Sequence, residues 1–585
     1  MANRNRQAGS RTHRIARRSL LKGAAAASAV GIGGGYQQTM AQDEASPVAD
    51  PSLPSASPSV ADLQEAFASG ETTVREVVEA ALARIDALDQ QGPALNAVIE
   101  LNPDALAIAD ELDAELAAGN ARGPMHGIPV LIKDNIATAD GMQTTAGSLA
   151  LEGLPATSDA SLVTFLRDAG VVILGKTNLS EWANIRSFQS TSGWSGRGGQ
   201  TLNPYQIDRN PSGSSSGSAV AAAAGYVPVT IGTETNGSIV SPAGNSGVVG
   251  IKPTVGLVSR VGVIPISHSQ DTIGPMARTV ADAAALLNVL ATPDPADAAS
   301  RGEWPVAVPS AGPATPEMTI LPVPSYPQQP ADGVPEVDYL AALDPAGLEG
   351  ARIGVVRALA GFSPDADAVF EEALQAMADA GAVLVDPVEI PSQADPAWGA
   401  DTLPVLEWEL KAGLADYFAT HLPPDSPITS LADVIAFNDA NADVEMPWFD
   451  QAIFLNAEQR TGLDDIAYIN AVLNIQAAGR DNGIDAALQA NDLVALVAPT
   501  NGPATRIDLV NGDHWLGGTS TLAAIAGYPL VTIPAGYRHG LPIGITFMGT
   551  AWSEEALIRL AYALEQSLMI WQEPTFAPAG ILPPG

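Results

Sequence analysis

The chain has 585 residues, 46% of them hydrophobic and 16% charged; this length allows two domains or one large domain with additions, and the composition favours a globular α/β protein over a disordered or fibrous one. Seven of its 28 Lys and Arg residues lie in the first 41 residues, which contain no acid, so residues 42–585 carry 21 basic against 65 acidic residues, a formal net charge of −44. A field of that sign argues against nucleic acid and anionic membrane surfaces as partners, and the absence of cysteine excludes disulfides and thiolate metal sites.

The first 41 residues have the pattern of an export signal. The pair Arg17-Arg18 is followed by an apolar run of small residues over 23–35 and by an A-x-A-like cleavage site at 39–41. This order resembles a twin-arginine signal, which exports proteins that fold before they cross the membrane. We therefore expect residues 1–41 to be a twin-arginine export signal, and the mature protein to be periplasmic or extracellular without stable membrane association; a chance basic tail is the alternative.

The folded part of the chain is expected to begin near Ser59. Residues 42–58 are rich in Pro, Ser, Ala and Asp, which predicts a flexible linker. Thr73 followed by Glu76 forms a capping-box pattern, and apolar residues then recur at helical spacing. These features predict a helix that begins directly after Thr73.

Predicted strands and helices alternate along the rest of the chain. Apolar runs predict strands at 128–132, 227–231, 353–356, 494–498 and 530–533. Helical patterns occur at about 103–118, after Ser218, and at 280–291, 367–380 and 553–567. Such alternation predicts an α/β architecture with a largely buried sheet.

One segment interrupts this alternation. Nine prolines lie between Arg301 and Glu336, a density that no packed helix or central strand accepts. We interpret 301–336 as a surface insertion in a domain that spans 59–575, and 576–585 as a C-terminal tail. A partner-binding proline-rich arm is the alternative for the insertion.

Three clusters of residues carry the chemical signals, and the first ends in Lys133. The apolar strand predicted at 128–132 leads directly into this lysine. Burial there would lower the pKa of the amine and let it act as a neutral base. The alternative is a lysine whose amine reaches solvent and pairs with Asp134.

The second cluster is the Ser- and Gly-rich segment 211–218, which leads into a helix. Its backbone N–H groups and hydroxyls suit an anion or oxyanion. The segment also matches G-x-S-x-G with Ser215 at its centre, as in the nucleophile elbow of α/β-hydrolases. That motif needs a buried strand before the turn, whereas 205–211 is polar and ends in proline.

The third cluster, 232–243, follows a predicted strand directly. A tight polar turn after a strand presents a serine oxygen and several consecutive N–H groups to one point. Acyl transfer requires that combination of a nucleophile and oxyanion donors. An ordinary turn is the alternative for this cluster taken alone.

Taken together and in this order, the clusters resemble the amidase signature family. The similarity runs from Gly213 through Ser238 into the segment 247–256. Outlying blocks occur at 176–178, 498–500 and 540–544. The resemblance covers roughly residues 60–570 and implies the amidase signature fold, an α/β protein with a large mixed, twisted sheet covered by helices on both faces.

The resemblance also implies a catalytic triad. Ser238 matches the nucleophile, Ser214 matches a bridging serine held through a cis peptide, and Lys133 matches the base. The family's oxyanion donors fall on the backbone N–H groups of Thr235, Asn236, Gly237 and Ser238. No cofactor is implied, and without a carboxylate–histidine ligand cluster no metal is implied either.

The segments 192–200 and 232–240 look most like the peptide amidase branch, which removes the C-terminal amide of peptides and releases ammonia. Glu234, Asn236 and Val240 replace the Asp, Gly and Arg that many family members carry. Loss of that Arg puts in doubt any substrate whose recognition uses its charge. Asn236 is compatible with donation by its N–H group if a positive φ is tolerated there.

The expected partner is therefore a peptide amide or small-molecule amide. Alternatives are an amidase of small aliphatic, aryl or fatty amides and, from another class, a non-catalytic exported binding protein. A transamidating enzyme that works on tRNA is opposed by the export signal and the charge of −44 on residues 42–585. The six scattered histidines pair with no carboxylate in a recognisable motif, so a Ser-His-Asp triad is the weaker interpretation.

Overall fold

The structure is a computed structural model in which residues 55–305, 323–330 and 333–578 are described. The predicted export signal and most of the predicted linker lie outside these ranges. The strands are β1 (Val98–Leu101), β2 (Pro129–Lys133), β3 (Val172–Thr177), β4 (Trp194–Ser195), β5 (Gly199–Gln200), β6 (Val229–Glu234), β7 (Val249–Lys252), β8 (Thr272–Ala277), β9 (Arg352–Val355), β10 (Val383–Val385), β11 (Ala495–Pro499), β12 (Leu530–Arg538) and β13 (Leu541–Met548).

The helices alternate with these strands in the first half of the chain and cluster between β10 and β11. They are α1 (Val60–Ser69), α2 (Val74–Ile85), α3 (Ala105–Ala117), α4 (Ser161–Asp168), α5 (Ser216–Ala223), α6 (Val240–Ser246), α7 (Val280–Leu290), α8 (Pro364–Asp379), α9 (Gly399–His421), α10 (Leu431–Ala440), α11 (Ala442–Glu445), α12 (Ala452–Glu458), α13 (Ile466–Gly479), α14 (Asp485–Asn491), α15 (Thr521–Ala526) and α16 (Glu554–Leu568). Within the described ranges, no helix combines the length and apolar character that a membrane span needs.

Eleven of the described strands form one mixed sheet. Their spatial order is β1-β3-β2-β6-β8-β7-β12-β13-β11-β9-β10. Strand β2 pairs in parallel with β3 and with β6, whereas β6 and β8 are antiparallel. The predicted α/β class with a large mixed sheet is confirmed.

Strand β2 shows how the sheet is covered on both faces. All five of its residues are buried. Val130 and Ile132 pack into a cluster that includes α4 and α7, and Leu131 packs into another with α2, α3 and α5. Successive side chains of a strand point to opposite faces, so a continuous apolar run is the pattern that a doubly covered strand requires.

The capping box predicted the start of α2 correctly. Thr73 accepts from the amide of Glu76, and the Glu76 carboxylate accepts from the amide of Thr73. Two amides that a helix start leaves without partners are thereby satisfied. Near the C-terminal end of the predicted linker, the amide of Ser57 donates to the carbonyl of Gly225 at 2.9 Å. Contact with the folded body therefore begins slightly before Ser59.

Two long strands of the sheet, β8 and β13, were not predicted. Each contains both a proline and a glycine, the residues that normally argue against a strand. Strand β12 likewise continues past Pro534 to Arg538, beyond its predicted end, with a register shift after Pro534. Pairing with both neighbours outweighs the weak local signal in these segments.

The described ends of the proline-rich insertion pack on the body. The rings of Trp304 and Tyr326 lie 5.0 Å apart, and both contact the ring of His268. The middle of the insertion lies outside the described residues. The predicted C-terminal tail also begins later than expected, because the amide of Phe576 donates to the carbonyl of Pro204 at 2.9 Å.

Candidate active site

The amine of Lys133 is fully buried at the end of β2. Its Nζ lies 2.7 Å from Ser214 Oγ and 3.1 Å from Ser215 Oγ. It also lies 3.0 Å from Thr233 Oγ1 and 3.3 Å from the Thr233 carbonyl oxygen. Burial lowers the pKa of Lys133 to about 7, against the opposing fields of two carboxylates, Asp271 and Glu234.

The alternative of a solvent-reaching lysine paired with Asp134 is wrong. The Asp134 carboxylate accepts instead from the Thr145 hydroxyl and, at 3.3 Å, from the Gly147 amide. Successive strand residues point to opposite faces, so the side chains of Lys133 and Asp134 diverge where β2 ends.

Ser214 lies in the loop before α5. The Gly213–Ser214 peptide is cis, as the resemblance implied. A Cβ on Gly213 would lie 2.2 Å from Ser180 Oγ, so the close approach of these two loops requires glycine. The Ser215 amide donates to the Ser238 carbonyl at 3.1 Å, which joins the two serine-bearing loops through their main chains.

Strand β6 leads directly into the turn that carries Ser238. The Glu234 carboxylate accepts from the amides of Gly237, Ile239 and Val240 at 2.9, 2.7 and 3.0 Å. Three amides converging on one carboxylate fix the turn. Because β2 and β6 run in parallel, they end at the same edge of the sheet, and Lys133 meets this turn there.

The turn presents fewer oxyanion donors than the resemblance implied. The Gly237 amide donates to Glu234 and is therefore already engaged. Within the described chain, the amides of Thr235, Asn236 and Ser238 donate to no protein acceptor. The left-handed position of the turn is Gly237, with φ of 84°, so Asn236 needs no positive φ.

Ser238 is 8% exposed and lines an open cavity of about 380 Å³. Phe188 and Trp515, both largely exposed, stand at its mouth. The other lining residues are Ala183, Asn184, Ile185, Ser187, Ser190, Ser192, Ser212, Gly213, Thr235, Asn236, Ser241, Ile266, Leu406 and Asp513. No histidine from the described ranges lines it, which disfavours a Ser-His-Asp triad.

A second cavity of about 490 Å³ adjoins the first and shares Ala183, Thr235 and Ile266 with it. Asp271 lines this second cavity and accepts from the Thr235 hydroxyl at 2.6 Å. The long helix α9 contributes to its wall through Tyr417 and its neighbours.

Ser215 is not an elbow nucleophile, as the polar segment before it indicated. Ser215 is fully buried, and its hydroxyl donates to the Thr233 carbonyl at 3.0 Å and accepts from the Thr233 amide at 3.2 Å. The preceding segment 205–211 makes only isolated bridges, at Gln206 and Arg209, and forms no strand before the turn. Among the described residues, no group of three or more His, Cys, Asp or Glu is arranged to hold a metal ion.

No sequence pattern predicts a role for Thr233, Asp271 or Asp513. Asp271 and Asp513 lie on loops far from the motifs along the chain, so no local pattern marked them. Thr233 lies inside the third cluster, but the strand was expected to end at Ile231. Because β6 continues to Glu234, Thr233 belongs to the strand and lies beside Lys133.

The comparisons with known proteins agree with this geometry. The family model described as Amidase matches residues 76–558. A "probable amidase" of Arabidopsis thaliana is 38% identical over 523 residues, which is 88% of this chain and 91% of that protein. A glutamyl-tRNA(Gln) amidotransferase protein of Symbiobacterium thermophilum is 32% identical over 533 residues, 87% of this chain and 96% of that one.

Solved structures of peptide amidases are more similar still. The native peptide amidase from Stenotrophomonas maltophilia is 50% identical, with a TM-score of 0.79, and the match covers 88% of this chain and 98% of that chain. A peptide amidase in complex with the competitive inhibitor chymostatin is 51% identical, with a TM-score of 0.80 and the same coverage. The family match spans the sheet and both serine-bearing loops, and the chain therefore belongs to the amidase family of amide-hydrolysing enzymes.

Proposed function

We propose that this protein is an exported amidohydrolase that removes the C-terminal amide of peptides through Ser238, Ser214 and Lys133. The observation that carries the proposal is the Lys133 amine, fully buried, with its pKa lowered to about 7 and placed 2.7 Å from Ser214 Oγ. A lysine in bulk water is almost entirely protonated at neutral pH and is a poor base. The lowered pKa of Lys133 makes its neutral form far more accessible near neutral pH.

The reaction begins with a proton relay. Neutral Lys133 accepts the proton of Ser214, and Ser214 accepts the proton of Ser238 as the Ser238 oxygen attacks the amide carbon. The amides of Thr235, Asn236 and Ser238 stabilise the oxyanion that forms. These amides suit the role because no protein acceptor within the described chain engages them.

Breakdown of the intermediate releases ammonia. Ser214 returns a proton to the leaving nitrogen, the C–N bond breaks, and Lys133 restores the proton of Ser214. Water then attacks the acyl-enzyme through the same relay, with the proton returning to Ser238. The products are one ammonia and one peptide with a free carboxyl group.

Two observations support a peptide as the substrate. The solved structures at 50% and 51% identity are peptide amidases. The Ser238 cavity is also open to solvent, and its lining includes the largely exposed Phe188 and Trp515, which leaves room for a chain that extends away from the amide. Small aliphatic or aryl amides would fill only part of about 380 Å³.

Ammonia release from an amidated dipeptide tests the activity. Small aliphatic, aryl and fatty amides are assayed separately for comparison. We expect the dipeptide amide to give the highest kcat/KM and Ser238→Ala to abolish release. Ser567→Ala, on α16 and outside the cavity, serves as the folding control. A fluorophosphonate should label the wild type and the Ser215→Ala variant but not Ser238→Ala; full activity of Ser238→Ala would exclude the proposed nucleophile.

Export by the twin-arginine route is supported by the Arg17-Arg18 pair and the acidic remainder of the chain. We expect Arg17→Lys with Arg18→Lys to retain the precursor in the cytoplasm. The control is Arg11→Lys with Arg14→Lys, which makes the same two replacements without altering Arg17-Arg18. It also preserves the net charge and should leave export intact. Equal export of both variants, measured by fractionation and N-terminal sequencing, would refute this part of the proposal.

A further inference from the structure

Among the described residues that line the Ser238 cavity, Asp513 is the only one with a charged side chain. This residue lies on the loop between β11 and α15. The other lining residues are apolar, hydroxyl-bearing or amide-bearing. A carboxylate that is the only charged group in a cavity makes the electrostatic potential there negative.

The position of the Asp513 carboxylate is fixed by neighbours of the active-site loops. Oδ1 accepts from Asn210 Nδ2 at 2.7 Å. The amide of Ser192 lies 3.1 Å from Oδ1 and 3.0 Å from Oδ2. Asn210 precedes the Ser214 loop, and Ser192 itself lines the cavity, so the carboxylate is held in the lining of the cavity that Ser238 also lines.

Among the described residues, no Lys, Arg or His pairs with Asp513, and only Ser192 and Asn210 favour its charged form. Although its accessible area is that of an exposed residue, the surrounding loops partly desolvate the carboxylate and raise the pKa of Asp513. A partly desolvated carboxylate that pairs with no described cation is a suitable partner for a cationic ligand.

The aromatic residues at the cavity mouth fit the same kind of ligand. Trp515 is 61% exposed, and Phe188 is 63% exposed. Both line the cavity together with Asp513. The face of an aromatic ring attracts an ammonium or guanidinium group, and an indole does so most strongly.

We infer that Asp513 is a specificity-determining residue that selects peptide amides carrying a positive charge close to the amide that is cleaved. The inference rests on the proposed peptide amidase function. The recognised chemistry is an ammonium or guanidinium group, from either the free N-terminus of a short peptide or a Lys or Arg side chain.

Matched dipeptide amides test this inference and distinguish the two sources of charge. The substrates are alanyl-phenylalaninamide with a free N-terminus, its N-acetyl form, N-acetyl-lysyl-phenylalaninamide and N-acetyl-glutamyl-phenylalaninamide. We expect the wild type to favour one or both cationic substrates over the N-acetyl-alanyl form by about three- to tenfold in kcat/KM. The glutamyl substrate should be the poorest.

Asp513→Asn keeps an oxygen acceptor for the Ser192 amide and removes the charge. We expect this variant to lose the preference, because its kcat/KM falls more on the cationic substrates than on the N-acetyl-alanyl form. Asp508→Asn, on the same loop but outside the cavity lining, makes the same change in net charge and should keep the preference. Raising the salt concentration from about 0.1 M to about 1 M should weaken the preference of the wild type.

Each outcome has a distinct meaning. A preference that persists in Asp513→Asn, or a wild type that does not distinguish charge, would overturn the inference and leave the proposed function intact. Equal losses on neutral and cationic substrates would assign Asp513 only to bracing the loops and also overturn it. Absence of ammonia from every peptide amide would refute the proposed function and, with it, this inference.

Discussion

The amine of Lys133 lies 2.7 Å from the hydroxyl of Ser214, although 81 residues separate the two in the chain. Lys133 reaches this position as the last residue of a strand whose side chains are covered on both faces. Ser214 reaches it from the loop before α5. The proposed chemistry depends on this contact, because the relay passes its first proton across it.

Replacing Lys133 by methionine should lower kcat by about 10²- to 10⁴-fold, the usual effect of removing an acid–base group. Lys252→Met is the matched control, because Lys252 is also fully buried and its Nζ donates to the Tyr528 carbonyl at 2.7 Å. The control should lose stability by about 1–3 kcal/mol, because its carbonyl partner is left unsatisfied, while kcat stays near that of the wild type. Kinetics and thermal unfolding measure the two effects, and an active Lys133→Met would exclude Lys133 as the base.

The pH dependence should report the lowered pKa of Lys133. Only the neutral amine accepts a proton, so kcat/KM should rise with pH and level off above an apparent pKa of about 7. The same shift affects stability. Between about pH 7 and pH 10 the unfolded chain binds a proton that the folded lysine lacks, so this group makes the free energy of unfolding increase with pH. A kcat/KM independent of pH from about 6 to about 9 would contradict this assignment.

Asp271→Asn should move the rising limb of the pH profile to lower pH. The Asp271 carboxylate raises the pKa of Lys133, so its removal lets desolvation lower that pKa further. The substituted amide still offers an oxygen to the Thr235 hydroxyl, which keeps the local contact. Asp297→Asn is the control, because Asp297 is also a carboxylate in the lining of the second cavity but is not among the groups that shift the pKa of Lys133. An unchanged pH profile in Asp271→Asn would refute the electrostatic effect of Asp271 on Lys133.

Glu234→Gln should lower both activity and stability. The carboxylate accepts three amides of the Ser238 turn through two oxygens, and an amide side chain offers only one oxygen. We expect a loss of about 1–3 kcal/mol in the free energy of unfolding. We also expect kcat to fall more than KM changes, because the turn positions Ser238. Chemical denaturation and steady-state kinetics check this, and wild-type values for both would show that the turn holds without the carboxylate.

Elements with strong local signals could be predicted from the sequence, whereas the contacts made by loops could not. The run ending at Lys133 and the Thr73–Glu76 capping box predicted β2 and α2 because burial on both faces and amide satisfaction leave local patterns. Strand β8 left no such pattern, because its central Gly274-Pro275 forms part of the sheet only through its neighbours β6 and β7.

The site shows the same division. The positions of Ser214, Ser238 and Lys133 could be named from motifs, whereas the contact of Asp271 with Thr235 arises only from tertiary packing. The hydrogen bond from the Gly237 amide to Glu234 depends on the orientation of the Glu234 side chain, three residues earlier in the chain. The amino-acid sequence does not specify that orientation. Asp513 lines the cavity from a loop whose sequence has no hydrophobic periodicity, so no sequence pattern indicated it.

The bond from the amide of Ser215 to the carbonyl of Ser238 belongs to the peptide backbone alone. Exchanging the side chain of either Ser214 or Ser238 leaves both of these atoms in place. Alanine variants at the two positions therefore subtract an oxygen while preserving the tether between their loops. Any fall in turnover that they cause can be attributed to missing chemistry once unfolding measurements show the scaffold unchanged.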